Sequence, residues 1–225
     1  MEINADFAKR VVVHSSELEW QASPMMGVHR RMLDRLGDEV ARATTIVRYD
    51  PGSRFSPHLH TGGEEFIVLE GVFQDEHGDF PAGSYIRNPP QSRHTPGSET
   101  GCVIFVKLWQ FDPQDRTHVR LQYDKMERIE DPRRHGVRLT PLFSDERETV
   151  QIEEWAPRAE QSVDMPNGAE ILVLEGSLVS EGEALAEYSW VRLPRGGRLE
   201  AIAGENGAKI WLKRDHLRFA EAPAI

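Results

Sequence analysis

PGSRFSPHLHTGGEEFIVLEG, residues 51 to 71, is the stretch on which the reading of this chain turns. It carries imidazoles at His58 and His60 and carboxylates at Glu64 and Glu65, then runs into the apolar Phe66-Ile67-Val68-Leu69 and stops at Gly71. In an extended strand, side chains two residues apart share a face, so His58 and His60 aim at one spot while Leu59 points away. That is the spacing of metal ligands. An ion held this way needs a third or fourth donor, which a β scaffold supplies from a neighbouring strand. The nearest candidate is His94, which follows the turn-rich run Arg87-Asn88-Pro89-Pro90-Gln91-Ser92-Arg93.

These residues resemble the cupin family. Its first motif runs Gly, five residues, His, one residue, His, three or four residues, Glu, six residues, Gly, and Gly52, His58, His60, Glu64 and Gly71 meet every interval. Its second motif is matched by Gly83, Pro89 and His94, with Pro96-Gly97 standing where an Asn is often found. The segment HLHTGGEEFIVLEG also resembles the cupin domain of ChrR-type anti-sigma factors. That resemblance implies an all-β fold of jelly-roll (double-stranded β-helix) type. It also implies a divalent metal ion, usually zinc, held by His58, His60, Glu64 and His94. The interval selects Glu64 as the ligand, and Glu65 then turns to the opposite face of the strand.

The composition is compatible with that fold. The chain has 225 residues, enough for two domains of about 110 each. Its 18 Gly and 14 Pro suit many short strands joined by turns. A formal net charge of -10, with no Lys/Arg-dense segment, argues against binding nucleic acid or an anionic membrane. The single cysteine, Cys102, excludes an internal disulfide and a cysteine zinc cluster, and is expected to be a buried small apolar residue. The N-terminal segment has neither a signal-peptide nor a membrane-span pattern, so a cytoplasmic location is expected. The other six histidines, His14, His29, His77, His118, His135 and His216, stand beside charged or turn residues and are expected to face solvent.

In chain order, Val11-Val12-Val13 reads as an edge strand or a dimer arm, and Val28 to Tyr49 as a hairpin turning at Leu36-Gly37-Asp38-Glu39. Short apolar runs follow at Phe66–Leu69, Ser84–Arg87 and Val103–Val106. Residues 112–132 read as a polar connection between domains, and then the chain repeats itself. Glu65-Phe66-Ile67-Val68-Leu69-Glu70-Gly71 matches Glu170-Ile171-Leu172-Val173-Leu174-Glu175-Gly176 at an offset of 105, which also carries Ser84, Tyr85, Arg87 and Pro89 onto Ser189, Trp190, Arg192 and Pro194. A shared offset over separated blocks indicates duplicated folding units. We therefore expect two tandem barrels, a metal-binding cupin domain over 1–115 and a degenerate one over 116–225. The offset converts all four expected ligands to apolar residues: Val163, Met165, Ala169 and Leu199. Without imidazole or carboxylate, the second barrel is expected to be a packed core.

Two functions are consistent with this pattern. One is a ChrR-like sensor or regulator linked to anti-sigma factor signalling and oxidative stress, in which four ligands close the coordination sphere of Zn2+. The other is a non-haem dioxygenase or related cupin enzyme, with Fe2+ or Mn2+ keeping a position open for a small organic substrate. The residues leave open whether the chain is an enzyme, and no catalytic residue is assigned. About 50 residues precede the motif and contain no cysteine, so the helical zinc domain that grips the sigma factor in ChrR-type proteins is not expected here. The expected partner is a regulatory protein or a small molecule, and exposed edge strands favour a homodimer.

Overall fold

The computed structural model describes residues 1–37 and 40–223. Their regular structure is all strand, apart from three short 3-10 turns. Two compact units emerge. Among the described residues, the first comprises Met1–Ala5, Glu19–Asp124 and residues 221–223; the second comprises Asp6–Leu18 and Lys125–Ala220.

In the first unit a 10-stranded antiparallel sheet runs in the order Val119–Gln122, Ser84–Asn88, Glu64–Asp75, Cys102–Leu108, Ala41–Tyr49, Val28–Gly37 and Gln21–Ala22, with three short strands attached beside this path. A separate two-stranded sheet pairs His58–His60 with Ser92–His94. The hairpin read from Val28 to Tyr49 is present, its strands in antiparallel register. Of its expected turn, Asp38 and Glu39 lie outside the described residues. The central strand Glu64–Asp75 is long because its first five residues are buried, with Phe66 and Val68 facing Ile104, Val106 and Phe73 in the core. Each such side chain contributes about 1.5–3 kcal/mol by leaving water. Cys102 belongs to the same cluster, buried as expected.

The second unit repeats the plan in a 9-stranded sheet around Ala169–Ser180 and Gly197–Arg214. The 105-residue offset is visible in contacts as well as in letters. Tyr85 donates its hydroxyl to Glu65 at 2.6 Å, and the residues at the matching positions, Trp190 and Glu170, are joined by an indole N–H bond of 3.2 Å. Gly71 (φ 69°) and Gly176 (φ 71°) both end the repeated block in the left-handed region. A Cβ on Gly71 would lie 2.1 Å from the Gly101 carbonyl oxygen, so only glycine lets the strand bend there.

Two expectations need correction. The change of unit falls between Asp124 and Lys125, inside residues 112–132, but the run is not all connection: Val119–Gln122 pairs with Ser84–Asn88, and Asp115 bonds Arg87 at 2.8 Å. This short strand was hidden by its single apolar alternation, Val119-Arg120-Leu121. Val11–His14 is the edge strand of the second unit's sheet, paired with Ser189–Leu193, which is one of its two expected readings. By compact unit, Asp6–Leu18 goes with the second and the chain to Asp124 with the first. His216 does not face solvent. It is 4% exposed and bonds Glu170 at 2.9 Å, the buried carboxylate supplying the partner that a buried imidazole requires.

Candidate metal centre

His58 and His94 stand directly opposite each other in their antiparallel pair, with Leu59 opposite Arg93 and His60 opposite Ser92. Facing residues in such a pair project to one side, and His60 joins them because it is two along from His58. The three rings meet edge to face, with centroids 4.7–5.1 Å apart. Each offers a nitrogen within 4.8 Å of the other two, a group that can hold a metal ion.

Glu64 reaches the same point from another strand. Its Oε2 lies 3.5 Å from His60 Nε2 and 3.6 Å from His94 Nε2, which are themselves 2.8 Å apart. A point about 2 Å from all three atoms exists between them, the length of a zinc–nitrogen or zinc–oxygen bond. The donor set therefore fits a divalent ion. Its composition, imidazole nitrogen plus one carboxylate oxygen, suits zinc, iron, nickel or manganese and gives a calcium-type ion too few oxygens.

The local chain explains the placement. Thr61-Gly62-Gly63 connects His60 to Glu64 in a tight turn closed by the Gly63 N–H to the His60 carbonyl, which also accepts the N–H of Gln91. Trp109 lies flat against this turn: a Cβ on Gly62 would sit 2.0 Å from its indole ring. The Trp109 N–H bonds the Gly63 carbonyl at 3.2 Å. Glu64 pairs across the sheet with Asn88, whose amide donates to Glu64 Oε2 at 3.3 Å. Glu65, one residue on, points away and accepts the Tyr85 hydroxyl.

The outer nitrogens are also engaged. His58 Nδ1 is 3.2 Å from the Ser56 carbonyl, and His94 Nδ1 is 3.2 Å from Asp75 Oδ2. His94 and Glu64 are buried, His60 is partly buried and His58 is exposed, so the group opens to solvent on the His58 side. Burial pushes His60 below the ordinary histidine pKa, and nearby His94 and His58 add to this against the opposing effect of Glu64. Burial acts in the same direction on His94. There the Asp75 hydrogen bond and the Glu64, Asp75 and Glu76 charges prevail and raise it.

Of the four sequence-derived residues, His58, His60 and His94 form one group, and Glu64 approaches its His60 and His94 members. Asp75, Asn88 and Trp109 were not singled out in the sequence. Asp75 sits in the run Asp75-Glu76-His77-Gly78 that reads only as a turn, and no local spacing connects it to His94. Arg54 and Arg93 are exposed; Arg54 lines a cleft of about 350 Å³ beside Asp75. In the second unit Val163 pairs with Leu199 as His58 does with His94. There Met165, Ala169 and Leu199 are buried in a continuous apolar cluster with Val163 against it.

Residues 8–112 match the family model described as the ChrR Cupin-like domain. Anti-sigma-E factor ChrR of Cereibacter sphaeroides is 35% identical over 83 residues, 36% of this chain and 37% of that protein. The chain thus aligns with little more than a third of the curated relative's length. A crystal structure of a candidate dioxygenase from Nostoc punctiforme superposes with a TM-score of 0.78 at 15% identity, covering 97% of this chain and 87% of that one. The bacterial pirin YhhW of Escherichia coli, solved in complex with nickel(II), gives 0.64 at 12% identity over 92% of this chain and 98% of that one. The chain is a cupin-fold protein, and its first half resembles the cupin domain of ChrR.

Proposed function

We propose that the first unit is a ChrR-like regulatory module holding one zinc ion through His58, His60, Glu64 and His94. The observation that carries this reading is the convergence of His60 Nε2, His94 Nε2 and Glu64 Oε2, with His58 beside them. Bound zinc would supply a cross-link between the His58–His60 and Ser92–His94 strands and the start of the central strand Glu64–Asp75. Loss of one donor to an oxidant would free those strands, and a protein partner would read the change as a population shift. The module acts in the cytoplasm, as a homodimer, on a separate regulatory protein.

The test is zinc release. Zinc-loaded protein exposed to photogenerated singlet oxygen in the presence of a chromogenic chelator should release about one zinc per chain. Full retention of the ion after the imidazoles have been oxidised, confirmed by mass spectrometry, would contradict a sensing role.

A second reading, a cupin enzyme using Fe2+ or Mn2+, is favoured by the exposure of His58, which leaves one side of the group open to a small organic molecule. Iron-dependent oxygen consumption in place of ion release would move the assignment there.

A further inference from the structure

We infer that Asp75 is a positioning residue that fixes the tautomer and orientation of His94 for metal binding. The inference rests on the metal reading of the site and assigns a role to a residue outside the ligand set.

A neutral imidazole carries one N–H and one lone pair, and can act as a ligand only through the nitrogen that lacks the proton. His94 has its two nitrogens in different surroundings. Nε2 faces His60 Nε2 at 2.8 Å and Glu64 Oε2 at 3.6 Å, whereas Nδ1 faces Asp75 Oδ2 at 3.2 Å. A carboxylate accepts hydrogen bonds and donates none, so it selects the tautomer with the proton on Nδ1 and leaves the Nε2 lone pair aimed at the donor group. The side chains of His94 and Asp75 are 3% and 2% exposed, so water competes little for either.

Asp75 is itself held in place. Its Oδ1 accepts the His77 backbone N–H at 2.7 Å, and Asp75 pairs with Gly78 across the hairpin that ends the long central strand. The carboxylate is therefore held by its own hairpin, independently of the donor group. His58 is oriented more weakly, by the neutral Ser56 carbonyl at 3.2 Å. A carboxylate partner also makes the imidazole a stronger donor, and removing such partners typically weakens metal binding about 10- to 100-fold.

The test uses the full chain. Nitrogen-15 chemical shifts of His94 in the metal-free protein, followed upward in pH until the ring has lost its second proton, should show the remaining proton on Nδ1. Zinc affinity by chelator competition should fall about 10- to 100-fold in Asp75→Asn with one zinc per chain still bound at saturation. The visible spectrum of the cobalt(II) form should shift. Asp79→Asn, on the same hairpin and bonded to Gln74, should match the wild type in all three measurements. A proton on Nε2 in the unsubstituted protein would overturn the inference without reference to any variant. Wild-type zinc affinity in a folded Asp75→Asn protein would overturn it too. If the unsubstituted protein takes up no zinc, the metal reading itself fails, and the tautomer measurement still decides what Asp75 does.

Discussion

Glu64 and Glu65 are adjacent, chemically identical and surrounded by different groups. Glu64 Oε2 lies beside two imidazole nitrogens and Asn88, while Glu65 Oε1 takes a 2.6 Å bond from the Tyr85 hydroxyl. Neutralising them should separate function from stability. Glu64→Gln should lower metal affinity more than about 100-fold, beyond the loss expected from an outer partner, with little change in the melting temperature of the metal-free protein. Glu65→Gln should leave affinity unchanged and cost about 2 kcal/mol in denaturant titration, the scale of a weakened charge-assisted hydrogen bond. Equal affinities for the two variants would contradict the assignment. The distinction was legible from the chain because strand alternation sends neighbours to opposite faces. Asp75 was not legible, since its contact with His94 joins a hairpin tip to a strand 19 residues away and leaves no periodic signal.

At the level of elements, the short strand Val119–Gln122 shows what pattern reading loses. Its sequence is half polar, yet it completes the edge of Ser84–Asn88, and Asp115 just before it bonds the buried Arg87. Arg87 also lies over the Phe111 ring at 4.3 Å. Burial alone would raise the Asp115 carboxyl pKa, but the Arg87 hydrogen bond and the Thr117 amide together hold it below its ordinary value. A carboxyl whose folded pKa is depressed adds stability above its unfolded value, and that contribution is lost as pH falls through the folded value. Asp115→Asn should therefore destabilise the protein by about 2 kcal/mol at neutral pH. The gap from wild type should narrow below about pH 4, as urea unfolding across pH can check. A gap independent of pH would mean that the ion pair is not the source of the effect. The His58–His60 and Ser92–His94 pairing was easier to anticipate, because two histidines at spacing two demand a partner strand.

Across the whole molecule, the duplicated plan and the unequal chemistry of its halves were both readable from one offset. The offset that aligns Gly71 with Gly176 also turns the four donor positions into Val163, Met165, Ala169 and Leu199, and the structure keeps the same cross-strand pair, His58 with His94 and Val163 with Leu199. What the offset does not reveal is that Asp6–Leu18 goes with the second unit, because strand pairing over such separations leaves no mark in local sequence. Two barrels with one donor cluster among the described residues lead to a stoichiometry claim, and the most direct test is elemental analysis of protein purified without added metal or chelator, alongside a His94→Ala variant. The account predicts about one zinc per chain in the first sample and a large loss in the second. No bound metal in the wild-type protein, two ions per chain, or equal content in both samples would contradict it.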